Sequence, residues 1–278
     1  MKRQLWVWIG SVAAFCVVAL AIAQSPGFQP LRPLTGVIGL PTLAESPDAA
    51  LLPVSTDDTT ATQDLVATTA PVLAQSAPSY QPREELALAH PSNYGDRYAT
   101  DINGRPANQQ FIVVIHETVG SARSAINLFQ RNHPNDADQV SYHTLIARDG
   151  TVIYIVPPEN RAYGAGNSVF NGPNGAETVA THPTLPPSVN NFAYHVSLES
   201  PSDGRGNSRT HSGYTQAQYE SLAWLMARTN IPDSRITTHR AVDRSGNRMD
   251  PRSFDSSRFL NLLHRYPTRA SSAGAIHG

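Results

Sequence analysis

The chain has 278 residues, a formal net charge of −1 and 22 prolines. A nearly neutral charge provides no overall attraction to nucleic acid or to anionic lipid, so the composition indicates neither partner. The only cysteine, Cys16, lies in an apolar N-terminal stretch, so the rest of the chain has no disulfides and no thiolate ligands. Any metal bound there must be held by His, Asp or Glu.

Residues 1–23 have the pattern of an export signal. Lys2 and Arg3 precede an uncharged apolar run, residues 5–23, which ends in the Ala-Ile-Ala pattern of a cleavage site. The alternative is an uncleaved membrane anchor, because a run of this length can just span a bilayer. Both alternatives export the remainder of the chain, so we expect a periplasmic or cell-envelope protein.

The remainder divides into three parts by composition. Residues 24–83 are rich in Pro, Ala and Thr without a sustained helical or strand period, which predicts a disordered linker. Residues 84–267 have the pattern of one domain and are numerous enough for a single hydrophobic core. Residues 268–278 are predicted to be a flexible tail.

The first predicted elements of the domain are a strand, a helix and a hairpin. Residues 111–115 form an apolar run typical of a buried strand, and residues 121–131 follow as a helix. Its inner face is predicted to carry Ile126, Phe129 and Leu128. Residues 142–147 and 151–156 flank Asp149-Gly150, which predicts a β-hairpin.

The later elements complete a mixed α/β pattern. A strand is predicted at residues 194–199 and another at 235–238. Thr215 and Gln218 form a capping box for a helix to about residue 229, and Asp255 caps a last helix. This order predicts a single α/β domain with a central mixed sheet flanked by helices. Residues 157–191 and 201–213 are predicted to be irregular walls of a substrate site.

Three side chains suggest a metal site at strand ends. His116 follows the first strand, His239 follows residues 235–238, and Asp250 lies a short distance beyond. Two imidazoles and a carboxylate can hold Zn²⁺ and leave its fourth position for water, as in hydrolytic rather than structural zinc sites. Spacing alone leaves the alternative open that His116 and His239 are structural core or edge histidines.

Other histidines compete for such a role. His143 and His195 lie within predicted strands, whereas three more are expected to be solvated in polar loops: His133, His182 and His211. The pair His116-Glu117 resembles the start of a HExxH zinc motif, but position 120 is Gly, so that motif is absent.

Seven short motifs occur in an order that resembles a known family. They are Val114-Ile-His-Glu-Thr, Val140-Ser-Tyr-His-Thr-Leu, Arg161-Ala-Tyr-Gly-Ala-Gly, Asn190-Asn-Phe-Ala-Tyr-His-Val-Ser-Leu-Glu, Tyr214-Thr-Gln-Ala-Gln-Tyr, Thr238-His-Arg and Arg248-Met-Asp-Pro. Over about residues 108–262 the chain resembles the zinc-dependent N-acetylmuramoyl-L-alanine amidases of the type-2 family, relatives of peptidoglycan recognition proteins. Each motif alone is weak, but seven in order are specific.

The resemblance implies a metal, a reaction and a partner. By motif position the Zn²⁺ ligands are His116, His239 and Asp250. The family hydrolyses the amide between the lactyl group of N-acetylmuramic acid and L-alanine of peptidoglycan. We therefore expect a monomer that acts on peptidoglycan, in remodelling or recycling of the cell wall. The alternatives are a peptidoglycan-binding module without turnover and a zinc peptidase that cuts within the stem peptide.

The resemblance also implies auxiliary catalytic groups. Tyr142 matches a Tyr that assists in one branch of the family. Glu199 matches a Glu that closes a strand in another branch, which implies a carboxylate that takes a proton from the zinc-bound water. Arg248 stands two residues before the last ligand, at a position where relatives carry Lys. Because a guanidinium group keeps its proton, the resemblance implies that Arg248 stabilises the oxyanion and does not act as a general acid. The alternatives are an edge carboxylate for Glu199, packing for Tyr142 and a solvated charge for Arg248.

Two further positions bear on the site. Many relatives carry Trp-His where this chain has Tyr163-Gly164, which puts one wall contact of the substrate groove in doubt. His143 matches a family His that follows the Tyr, and it is expected to support the site rather than to bind the metal.

Overall fold

A six-stranded mixed sheet lies at the centre of the structure. The computed structural model describes residues 78–270, within one unit of the chain, Thr68–Gly278. The predicted export signal, most of the predicted linker and most of the predicted tail lie outside the described residues. None of the helices in the described part has the length and apolar character that a membrane span requires.

Between residues 78 and 270 the chain forms short strands and five α-helices, joined by loops and short 3-10 turns. The strands are β1 (Glu84–Leu86), β2 (Tyr94–Gly95), β3 (Ile112–Glu117), β4 (Thr144–Ile146), β5 (Val152–Tyr154), β6 (Arg161–Ala162), β7 (Phe170–Gly172), β8 (Gly175–Glu177), β9 (Ala193–Leu198) and β10 (Ile236–Thr238). The helices are α1 (Ala122–Phe129), α2 (Gln216–Ala227), α3 (His239–Val242), α4 (Ser256–Leu263) and α5 (Pro267–Ala270).

The strand order of the central sheet is β1-β5-β4-β9-β3-β10. The pair β4 and β5 is antiparallel, whereas the pairs β1/β5, β4/β9, β3/β9 and β3/β10 are parallel. The sheet is therefore mixed, and the predicted fold class is confirmed. The hairpin between β4 and β5 is also confirmed, and Gly150 supplies the positive φ of 89° in its turn.

Helices and loops cover both faces of the sheet, so strand β3, which lies between β9 and β10, is buried along its whole length. On one face, Val113, Ile115 and Val196 pack against apolar residues of α2 and α4. On the other face, Phe129 of α1 packs with Leu145 and other residues of the β4–β5 hairpin. A strand covered on both faces reads as a continuous apolar run, which is why its sequence pattern is so clear.

The predicted helix starts are confirmed by their caps. The hydroxyl of Ser121 accepts from the backbone N–H of Ser124, and Asp255 accepts from Arg258. Thr215 and Gln218 form both bonds of the capping box. The prediction of an inward Leu128 is wrong, because this side chain is 39% exposed while Phe129 is buried.

The boundaries and the loops differ from the predictions. Tyr80, in the predicted linker, contacts α2 through its hydroxyl, and Arg269, in the predicted tail, is buried and donates to the carbonyl of Thr229. The domain therefore extends beyond both predicted limits. Residues 157–191 are not irregular throughout, since they contain β6 and the β7–β8 hairpin.

Candidate metal centre

Parallel pairing of β3 and β10 places two histidines side by side. Thr238 pairs with Ile115, so the residues that follow them in the chain, His239 at the start of α3 and His116 in β3, lie at the same end of the sheet. Both imidazoles are buried, and their ring centroids are 4.6 Å apart. The sheet thus accounts for their approach across more than 100 residues of chain.

A loop after α3 brings Asp250 to the two histidines. Its carbonyl accepts from the backbone N–H of Arg240, which ties the loop to the start of α3. Its Oδ2 lies 3.2 Å from Nδ1 of His116 and 3.0 Å from Nδ1 of His239. The three predicted ligand residues therefore converge, and one ligand atom from each lies within 4.8 Å of the others.

Burial controls the charge of this group. Desolvation, together with the nearby His239, lowers the pKa of His116 to about 4, so its imidazole is neutral at physiological pH. Burial by itself would raise the pKa of Asp250, but the close contacts of its carboxylate with His116 and His239 outweigh it and hold that pKa below its ordinary value. Neutral imidazole and ionised carboxylate are the protonation states that bind a metal cation.

The donor set fits a zinc ion. Ligand atoms at about 2 Å from a tetrahedral ion lie about 3.3 Å from one another. The observed separations of 3.2 Å and 3.0 Å are close to this spacing, and both histidines present Nδ1 towards the carboxylate. Two nitrogens and one oxygen leave a fourth position, as in hydrolytic rather than structural zinc sites.

A cavity of about 770 Å³ has two of the three residues, His239 and Asp250, in its wall. Tyr142 and Arg248, two of the predicted auxiliary residues, line it together with His239 and Asp250. The ring of Tyr142 stacks on His116 at 4.4 Å, and burial together with the charge of Asp250 raises the pKa of its phenol. Tyr142 is therefore a proton-bearing donor at neutral pH. Residues 157–191 contribute to the cavity wall, but residues 201–213 do not.

Glu199 does not lie with His116, His239 and Asp250. One of its carboxylate oxygens accepts from the backbone N–H of Ala122, at the start of α1, and the other accepts from the backbone N–H of Arg148. It does not line the cavity. The expected role as a proton acceptor is therefore corrected to that of a carboxylate that caps α1 and binds the β4–β5 turn, because both oxygens are already engaged.

Sequence reasoning missed a second buried cluster, centred on Glu117. Its carboxylate accepts from the guanidinium of Arg252 and the hydroxyl of Tyr214, and it lies 2.9 Å from Nε2 of His211. The prediction of a solvated His211 is wrong, since its side chain is fully buried. The available signal was the strand alternation: Glu117 must point away from His116, into the opposite face of the sheet.

Further polar groups lie beneath the metal centre. Nε2 of His116 is 2.9 Å from Nδ1 of His195, and Nδ1 of His143 accepts from the backbone N–H of His195. A Cβ at Gly164 would lie 2.6 Å from the ring of His195, so this ring fills the space that a larger residue at 164 needs. That contact gives a physical reason for the departure from the Trp-His of many relatives.

Comparison with known proteins places the chain in a family. Residues 106–253, more than half of the chain, match the family described as N-acetylmuramoyl-L-alanine amidase. No curated protein matched the chain.

Several solved structures are similar to it. A selenomethionine derivative of AmpD is 24% identical, with a TM-score of 0.46, over 66% of this chain and 96% of that one. AmpD of Citrobacter freundii is 24% identical, with a TM-score of 0.40, over 70% and 94%. AmpDh3 of Pseudomonas aeruginosa, solved in complex with an anhydromuramic pentapeptide, is 16% identical, with a TM-score of 0.40, over 66% and 64%. On the family match, the chain belongs to the N-acetylmuramoyl-L-alanine amidases of the type-2 family.

Proposed function

We propose that the domain uses bound Zn²⁺ to hydrolyse the amide between N-acetylmuramic acid and L-alanine in peptidoglycan. The observation that carries the proposal is the convergence of His116, His239 and Asp250 beside a cavity, in a chain of the amidase family. When bound, Zn²⁺ would polarise the scissile carbonyl and make water more acidic. The protein would supply the three ligands, the cavity and the hydrogen-bond donors around the carbonyl.

Tyr142 and Arg248 are the proposed donors to the reacting carbonyl. Tyr142 lines the cavity. Its hydroxyl has no hydrogen-bond partner among residues 78–270. Because its pKa is raised, it keeps its proton and can donate to an oxygen that gains negative charge. Arg248 is exposed and lines the same cavity. Its guanidinium group would stabilise that oxygen by its positive charge and would keep its own protons.

Digestion of purified peptidoglycan, followed by mass analysis of the products, tests the proposal. We expect free peptides that begin with L-alanine, together with glycan that has lost its peptides. Binding of the polymer without release of peptides would replace the proposal with a binding module. Fragments cut between amino acids of the stem peptide would replace it with a zinc peptidase.

Replacing Tyr142 with Phe is expected to lower kcat by on the order of 10²-fold, because one donor to the developing oxyanion is lost. Zinc content should stay near that of the wild type, since the ring that stacks on His116 is retained. Steady-state kinetics and metal analysis provide the measurement. Tyr154→Phe is the matched control, because its hydroxyl bonds Glu84 on the sheet edge, and its kcat should not change. Equal kcat in both variants would remove Tyr142 from the mechanism.

Replacing Glu199 with Gln is expected to affect stability and not catalysis. The amide keeps one acceptor oxygen but turns an N–H₂ group towards a backbone donor, which should cost about 1–2 kcal/mol of unfolding free energy. Denaturant unfolding measures this loss, and Glu159→Gln, at an exposed position, is the control. A large fall in kcat at wild-type stability would return Glu199 to the reaction.

We also propose that the chain is exported through residues 1–23. The basic start, the apolar run and the small residues that follow it support this proposal. In a bacterial host with a periplasm, the full chain should fractionate with the envelope, and a chain without residues 2–23 should stay in the cytoplasm. N-terminal sequencing separates a cleaved signal from an anchor, and equal fractionation of both chains would contradict export.

A further inference from the structure

We propose that His195 is a positioning residue for the metal centre: it accepts a hydrogen bond from Nε2–H of His116 and so presents Nδ1 of His116 to the metal. The proposal rests on the zinc site of the proposed function. The two ring nitrogens are 2.9 Å apart, and both side chains are fully buried. A partner of this kind sets the tautomer and the orientation of a metal-binding imidazole.

The strand register places His195 where it can do this. In the parallel pair β3/β9, His195 lies opposite Val114, and Ser197 lies opposite His116. Because side chains alternate along a strand, His195 and Ser197 point to the same face of the sheet as His116. The imidazole of His195 therefore lies next to that of His116, and it does not line the cavity.

The positions of the ring protons determine whether His116 or His195 donates the hydrogen bond between them. A nitrogen that binds a metal must carry no proton, so a neutral His116 with Nδ1 directed at the metal carries its proton on Nε2. Within the described residues, Nδ1 of His195 is the atom that this Nε2–H reaches. His195 must then carry its own proton on Nε2, and that buried atom has no partner among residues 78–270. A buried N–H group without a partner costs free energy, and a side chain that served only for packing would not require one.

Neighbouring groups hold the ring of His195 in place. Its backbone N–H donates to Nδ1 of His143, and Nε2 of His143 lies 3.1 Å from the carbonyl oxygen of Asn160. The rings of His143 and His195 are parallel to within 10°. At Gly164 the absence of a side chain leaves room for the ring of His195, since a Cβ there would lie 2.6 Å from its Cγ and Nδ1.

The test compares zinc affinity in two variants of His195 by competition with a chromophoric chelator. Phe keeps an aromatic ring but removes the acceptor, so His195→Phe should bind zinc about 10- to 100-fold more weakly. Asn places Oδ1 where the imidazole has Nδ1, so His195→Asn should bind zinc within about threefold of the wild type. The thermal midpoints of the metal-free proteins are measured alongside, because a purely structural role would change those and not produce rescue by Asn.

A second measurement needs no variant. Two-dimensional ¹⁵N–¹H spectra of the zinc-loaded wild type should show His116 protonated on Nε2 and unprotonated on Nδ1. A proton on Nδ1, or equal zinc affinity in His195→Phe and wild type, would overturn the proposal while leaving the amidase function intact. A wild type that binds zinc but releases no peptide would overturn the function and leave this inference standing.

Discussion

Replacing His239 with Ala is expected to abolish both stoichiometric zinc and peptidoglycan hydrolysis. His239 supplies one of the three proposed ligands, and two protein ligands do not hold a catalytic zinc ion. Because the metal would stabilise transition-state charge by several kcal/mol, its loss should lower kcat/KM by on the order of 10³-fold or more. Metal analysis of the purified protein and the digestion assay provide the two measurements.

His264→Ala is the matched control for this experiment. His264 is half-buried and pairs with Asp233 at 2.6 Å, away from the proposed ligands. This variant should retain one equivalent of zinc and its activity. If His239→Ala also retained one equivalent, the assignment of the ligands would be wrong.

Replacing Arg252 with Met is expected to have the largest effect on stability. Arg252 forms a buried ion pair with Glu117 and donates to the carbonyls of residues 204, 206 and 208. Its loss leaves the carboxylate of Glu117 buried without its cationic partner, which should cost about 3–5 kcal/mol of unfolding free energy. Denaturant unfolding of the metal-free protein measures the difference, so that zinc binding does not contribute.

The exposed Arg265 provides the control for that substitution. Arg265→Met removes a charge from the surface of the same domain and should change the unfolding free energy by about 0.5 kcal/mol or less. A loss below about 1 kcal/mol for Arg252→Met would show that other donors to Glu117 suffice to compensate its charge.

The long, periodic elements were predictable because their patterns are local. The apolar run before His116 became β3, and the Asp149-Gly150 turn became the hairpin of β4 and β5. Caps at Thr215 and Asp255 were predictable for the same reason, since each cap depends on residues within one helical turn. Leu128 was misplaced, because the angle at which a short helix meets the sheet decides which neighbour is buried.

The auxiliary site residues were harder to predict because their roles depend on direction and on competing partners. Tyr142 reaches the cavity, whereas Glu199, two residues beyond Ser197, has both oxygens committed to backbone donors. A motif places a residue near a site, but it does not say which hydrogen bonds its side chain has already made.

By itself, the sequence determined the α/β class, the hairpin, the helix caps and the family, because each depends on local pattern or on the order of motifs. Only the tertiary structure decided that His116, His239 and Asp250 meet, that Glu117 belongs to a separate ion cluster, and that His195 lies within hydrogen-bond distance of His116. Those contacts join residues far apart in the chain. Their distances depend on strand register, which no local pattern specifies.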